Sequence, residues 1–177
     1  MRVVGFLALL LLFSQHAIAD LEPETRDYGT YGAFKVLRVS ASNIAFSHCG
    51  IISSKDLDGS KLAIYPSLER RKIRLLMMDP TWSLNKRVEG NVQIKTDDYS
   101  ERARIYDNTK SAIYASITRY ADFNQAFIEN YSMKIIIPGS TWDIDLNKSE
   151  DAWLALERCL GEASEHQKNM KKKNPWE

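Results

Sequence analysis

Hydrophobic and polar positions follow one another along most of this chain in short runs, each closed by a turn residue. In Val92-Gln93-Ile94-Lys95-Thr96 the period is two. Val92, Ile94 and Thr96 share one face and Gln93 and Lys95 the other, which is the pattern of a half-buried strand. Residues 33–39 and 45–52 are rich in β-branched and aromatic side chains and read as strands too. Residues 61–65 stop at Pro66, and residues 72–78 stop at Asp79-Pro80. Residues 103–106 and 112–117 continue the pattern. Residues 133–137 and 141–146 flank Pro138-Gly139 as a hairpin, with Trp142, Ile144 and Leu146 turned inward and Asp143 and Asp145 outward. Asp58-Gly59 and Glu89-Gly90 mark further turns, because glycine takes up positive φ without a steric penalty. Turn signals this closely spaced leave little room for βαβ crossovers and predict an antiparallel meander.

Two segments change to helical period. Asp122 is placed to cap a short helix with Phe123, Ala126 and Phe127 on one face. Further on, Asn147 with Glu150 three residues later resembles a capping box. Ala152, Leu156, Cys159, Leu160 and Ala163 then form an i, i+4, i+7, i+8, i+11 stripe with Trp153 at its side, predicting a helix over 150–167. The expected fold is α+β: a mostly antiparallel curved sheet or two-layer β-sandwich with the C-terminal helix packed on it.

Composition changes this picture chiefly at the two ends. The chain has 177 residues, with 24 Lys+Arg against 23 Asp+Glu. Residues 1–19 contain Arg2, the apolar run 6–13 and Ala17-Ile18-Ala19, the features of a secretory signal peptide. That run is shorter than the roughly 20 apolar residues that a membrane-spanning helix needs. Removing it takes away one arginine and no acid, so the mature chain nets zero. A neutral chain argues against binding nucleic acid or anionic membrane through its whole surface. Residues 20–165 amount to a single globular domain without internal repeats. Residues 166–177 read as a flexible basic tail carrying Lys168, Lys171, Lys172, Lys173 and Trp176, which leaves the body mildly acidic.

Export also decides how the cysteines read. Cys49 and Cys159 are an even pair without a Cys-x-x-Cys spacing or a metal-ligand cluster, so they predict a structural disulfide joining an early strand to the last helix. His48 and Cys49 are neighbours on a strand and point to opposite faces, which prevents those two from acting as a dyad. His48 and His166 read as ordinary surface or part-buried histidines, since no hydrolase, zincin, Walker or Rossmann motif accompanies them. Asp143 with Asp145, and Asp97-Asp98 with Asp107, are the carboxylates that a glycan hydrolase or a cation site would recruit. Solvated strand faces produce the same pattern. Asp56, Asp58 and Gly59 open like a calcium loop without its later ligands and read as a turn. Trp82, Trp142 and Trp153 read as core residues.

The order of these segments carries a resemblance. A strand with Phe34 leads to Cys49 and Leu62-Ala63-Ile64; Trp82-Ser83-Leu84 and Gly90-Asn91-Val92-Gln93-Ile94 follow. Then come the helix around Phe123 and Phe127, the Trp142-Asp143-Ile144-Asp145-Leu146 strand, and a last helix through Leu156 to Cys159. The layout resembles small exported bacterial proteins of the invasion-associated locus B group. That resemblance implies a periplasmic, non-enzymatic domain and carries over no catalytic residue. The chain departs from it at the polar link 147–151 and in its basic tail.

The function expected from the sequence is a periplasmic, non-catalytic binding or interaction protein. It would act as an inhibitor or immunity factor against a cell-wall-active enzyme or toxin, or as an accessory subunit of an envelope complex. Its partner would be another envelope or delivered protein, with Lys171, Lys172, Lys173 and Trp176 as a docking element. No cofactor, metal ion, nucleic acid or integral membrane segment in the mature chain is expected. The competing expectation is a glycan hydrolase using paired carboxylates.

Overall fold

The computed structural model describes residues 24–40, 47–53 and 59–173. The expected signal peptide over 1–19, Asp56 and Asp58 of the turn before β4, and Trp176 lie outside the described residues. The strands are β1 (Glu24–Tyr31), β2 (Phe34–Ser40), β3 (Ser47–Ser53), β4 (Lys61–Pro66), β5 (Ile73–Met78), β6 (Asn91–Lys95), β7 (Ser100–Asn108), β8 (Ala112–Ile117), β9 (Ser132–Ile137) and β10 (Ser140–Asp145). The helices are α1 (Tyr120–Glu129), between β8 and β9, and α2 (Ser149–Lys173), after β10.

All ten strands join one antiparallel sheet in the order β1-β2-β3-β4-β5-β8-β7-β6-β9-β10. The curved single sheet is therefore realised, and not the sandwich. The meander breaks twice, where β5 pairs with β8 instead of β6 and where β6 pairs with β9. The β1–β2 turn and the link between β10 and α2 lie at opposite ends of the strand order, yet they touch. A Cβ added at Gly32, which has φ 55°, would collide with the carbonyl oxygen of Asn147. The sheet thus curls until its two ends meet beside α2.

Alternation supplies the inner face. Phe34, Val36, Cys49, Ile51, Leu62, Ile64, Leu75, Val92, Ile94, Ile135, Trp142 and Ile144 are buried in a single cluster with both helices. Phe123, Ala126 and Phe127 of α1 are buried as the helical period predicts. Phe127 lies 5.2 Å from the Phe34 ring and 5.5 Å from Trp153. The stripe of α2 faces β1, β2 and β3, and Cys159 is bonded to Cys49 on β3.

Three Arg–Glu–Tyr groupings tie the helices to the sheet at its perimeter. Glu157 on α2 accepts from Arg70 at 2.8 Å and from Tyr120 at 2.6 Å. Glu162 on α2 accepts from Arg26 at 2.8 Å and Tyr28 at 2.6 Å on β1. Glu101 on β7 accepts from Arg119 at 3.1 Å and Tyr99 at 2.7 Å. The arginine side chains are about half exposed, so solvent screens these ion pairs and each adds little to stability.

Four local expectations are corrected. The polar run 20–27 reads from its composition as a loose N-terminus, yet from Glu24 onward it is the edge strand β1, a position that tolerates charges. Asp122 does not cap α1: Arg119 occupies the cap position without a side-chain cap, and Asp122 pairs with it at 3.2 Å from the first turn. Asn147 precedes a helix that starts at Ser149, and its N–H is taken by Asp145 at 2.9 Å. Finally, α2 does not end near 167. Its backbone stays helical to Lys173, because Gln, Lys, Asn and Met extend a helix well enough and the next breaker is Pro175. Lys171, Lys172 and Lys173 therefore belong to a helix rather than a loose tail.

Candidate basic docking face

The outer face of the sheet is built from the other half of the same alternation. One register row runs Lys35, Ile52, Ala63, Leu76 and Tyr114 across β2, β3, β4, β5 and β8. Ile52, Ala63, Leu76, Ala112 and Tyr114 form a second, smaller apolar cluster, with Leu37, Tyr65 and Met78 packed against it. Neither helix lies on this side, since α2 meets the sheet on the face of Cys49. The Tyr65 ring lies over Gly50, where an added Cβ would stand about 2.5 Å from ring carbons Cδ1 and Cε1. Burial pushes the Tyr65 hydroxyl well above its ordinary pKa, and Tyr114 adds to this.

Beside the apolar cluster the outer face turns basic. Arg74 on β5 and Arg104 on β7 both oppose Ser116 on β8, one from each side. With neighbouring strands about 4.8 Å apart, the two arginine backbones stand roughly 10 Å apart on one face. Arg102 lies two residues from Arg104 on the same face, about 7 Å away. Tyr106 continues the outward alternation of Arg102 and Arg104 at a bulge between Ile105 and Asp107, 39% exposed with its ring 6.2 Å from Tyr114. Burial raises the Tyr106 hydroxyl pKa, while Arg74 acts to lower it. His48 faces the same side. Burial lowers its imidazolium pKa, and the positive charge of Arg74 lowers it further.

The loop 79–90 completes the site. Asp79 anchors it by accepting from the backbone and hydroxyl of Thr81 at 2.8 and 2.6 Å. The loop is then strapped to the β7–β8 turn: Leu84 N–H donates to the Lys110 carbonyl, Val88 N–H to Asn108 Oδ1, and Asn108 Nδ2 to the Lys86 carbonyl. On the inner side Trp82 stacks against Trp142 at 5.7 Å. Between loop and turn lies an open groove of about 510 Å³ lined by Lys86, Arg87, Lys110, Tyr106, Asp107 and Asn108, among others. Arg74, Lys86, Arg87, Arg102, Arg104 and Lys110 are all exposed, and none has an ion-pair partner among the described residues. Such a surface can bind anions by charge-assisted hydrogen bonds with an aromatic ring alongside.

The residues singled out from sequence fall elsewhere. Cys49 and Cys159 form the inner-face disulfide. Asp143 faces solvent on the edge strand β10 with Lys134 3.8 Å away, and Asp145 is engaged with the backbone of Asn147. Asp97 and Asp98 sit in the β6–β7 turn, whereas Asp107 is at the far end of β7, so those carboxylates do not converge. His166 is exposed on α2. Trp82, Trp142 and Trp153 all pack into the inner core. Among the described residues no group of three metal-ligating side chains forms.

Sequence reasoning missed the basic face. Its one local signal was the alternation Arg102-Ala103-Arg104-Ile105-Tyr106, which places two arginines and a tyrosine opposite two core residues. Nothing local joins that strand to Arg74. Comparison with protein-family models, with curated proteins and with solved structures returned no match for this chain.

Proposed function

We propose that this is an exported, periplasmic binding protein that performs no chemistry of its own and engages another envelope or delivered protein. In this role it acts as an inhibitor or immunity factor, or as an accessory subunit of an envelope complex. The observation that supports the reading is the open groove beside β7, where Lys86, Arg87 and Lys110, without ion-pair partners among the described residues, line the same space as the exposed ring of Tyr106. The disulfide-tied core beneath it supplies a rigid platform, and rigid platforms bind with little ordering cost. The resemblance to the invasion-associated locus B group points the same way. The docking element moves in consequence from the C-terminal lysines to the groove.

Site-specific photo-crosslinking tests this. A photoreactive residue at Tyr106 in the mature protein, exposed to the native envelope fraction, is expected to give one discrete adduct, identified by mass spectrometry. The same residue at Leu154, which is 59% exposed on α2 across the sheet from the outer face, is expected to give none. The absence of an adduct at Tyr106 overturns the reading.

A further inference from the structure

We propose that the outer face of β5, β8 and β7 and the adjoining groove dock a short acidic segment of a partner protein. Arg74, Arg102 and Arg104 take its carboxylates, and its adjacent residues lie against Tyr106. This rests on the binding reading above and names the chemistry of the partner.

Part of the remaining surface pairs its charges, while exposed Arg71, Lys72, Lys95 and Lys168 have no ion-pair partner among the described residues. Arg26, Arg70 and Arg119 each face a glutamate, and Lys35, Lys134 and Lys148 each face an aspartate. The six cations of this face do not, although the chain has almost as many acids as bases. Like charges gathered without counter-charges repel one another, and an anionic partner relieves that repulsion. Four of the six are arginines, whose planar fork matches a carboxylate with two parallel hydrogen bonds. Arginine and tyrosine are also the side chains that most often dominate protein–protein binding energy.

Spacing and extent then select the partner. Arg102 and Arg104 repeat at about 7 Å, the interval between alternate side chains on an extended segment, so carboxylates at i and i+2 meet both. Arg74 lies across β8 from Arg104 and takes a third carboxylate. The basic area is bounded by acids: Glu89 ends the loop, Glu101, Asp97 and Asp98 lie along β7 and its preceding turn, and Asp107 stands within the groove itself. A long sulfated polysaccharide or a nucleic-acid duplex overruns those acids, whereas a short acidic segment does not. A chain with 24 Lys+Arg against 23 Asp+Glu also lacks the field that general polyanion binding requires.

The test measures fluorescence anisotropy of a labelled twelve-residue peptide of alternating glutamate and serine, with the lysine–serine peptide as control. The glutamate peptide is expected to bind, more weakly as salt rises, and the lysine peptide not at all. Arg74→Glu with Arg104→Glu is expected to weaken binding by about tenfold or more. Lys168→Glu, on an exposed part of α2, is expected to leave it unchanged. Arg102→Ala with Arg104→Ala serves if charge reversal perturbs folding, which circular dichroism melting reports. Tighter binding of heparin, a DNA duplex or phosphatidylglycerol vesicles than of the peptide overturns the proposal, as does an unchanged affinity in both arginine double variants. Failure of the peptide to bind while the Tyr106 adduct still forms overturns this inference and leaves the binding reading standing. Peptide binding without an adduct overturns the binding reading, and the inference that rests on it falls too.

Discussion

On the inner face of the sheet, Phe34, Ile51 and Ile64 lie under two helices and are tied down by a disulfide; on the outer face of the same strands, Ile52, Ala63 and Leu76 adjoin exposed arginines with neither helix above them. The chain makes both faces from one period-two pattern, so the difference lies in what covers each. Covered positions demand apolar shape and tolerate little change. The outer face keeps an apolar row for cohesion and spends its remaining positions on charge. Stability and recognition are thus assigned to opposite sides of one layer.

The comparison can be broken most severely at the inner face. Loss of the disulfide in Cys49→Ala with Cys159→Ala opens a link spanning 110 residues. The expected cost is up to about 4–5 kcal/mol in the chain-entropy picture, read as a lower urea midpoint. Phe127→Ala removes a ring packed against Phe34, Phe123 and Trp153, with an expected cost of about 3–5 kcal/mol by the same assay. Leu76→Ala, in the smaller outer cluster, is expected near about 2 kcal/mol. A cost for Leu76→Ala equal to that of Phe127→Ala would erase the distinction between the faces. Gly50→Ala drives a methyl group into the Tyr65 ring and is expected to cost about 1–3 kcal/mol, checked by thermal unfolding with tyrosine fluorescence.

The smallest effect concerns the perimeter. Burial acts to raise the pKa of Glu157, but hydrogen bonds from Arg70 and Tyr120 outweigh it and hold the carboxyl below its ordinary value. A lowered folded-state pKa stabilises the fold above the unfolded value near 4.5 and loses that contribution as pH falls through the folded value. Glu157→Gln is therefore expected to cost at most about 1 kcal/mol at pH 7. The gap between variant and parent should close as pH falls below the ordinary carboxyl value of 4.5 and through the lower folded value, as denaturation curves across pH will report.

Much of this architecture was legible along the chain because its causes are local. Val92, Ile94 and Thr96 announced a strand by period two, and Ala152, Leu156 and Cys159 a helix by period 3.6. The caps were read less well. Asp122 and Asn147 have the right chemistry, but tertiary packing placed each helix start elsewhere, at Tyr120 and Ser149. β1 was missed because an edge strand needs little apolar content, and its Tyr28 and Tyr31 find the core only once β2 is beside them. The candidate site was nearly invisible. Whole-chain charge came out close to zero, and a sum contains no information about where the charges sit.

The sequence by itself determined both helices and the strands with a clear apolar pattern, which of their side chains face the core, and that Cys49 meets Cys159. Each of those follows from a periodicity within one element or from a pair with no other partner. Only the tertiary structure decided that β8, not β6, lies beside β5. That choice rests on how the whole meander buries its inner face, a collective property that no single segment carries. It is also the choice that brings Arg74 and Arg104, thirty positions apart along the chain, to either side of Ser116.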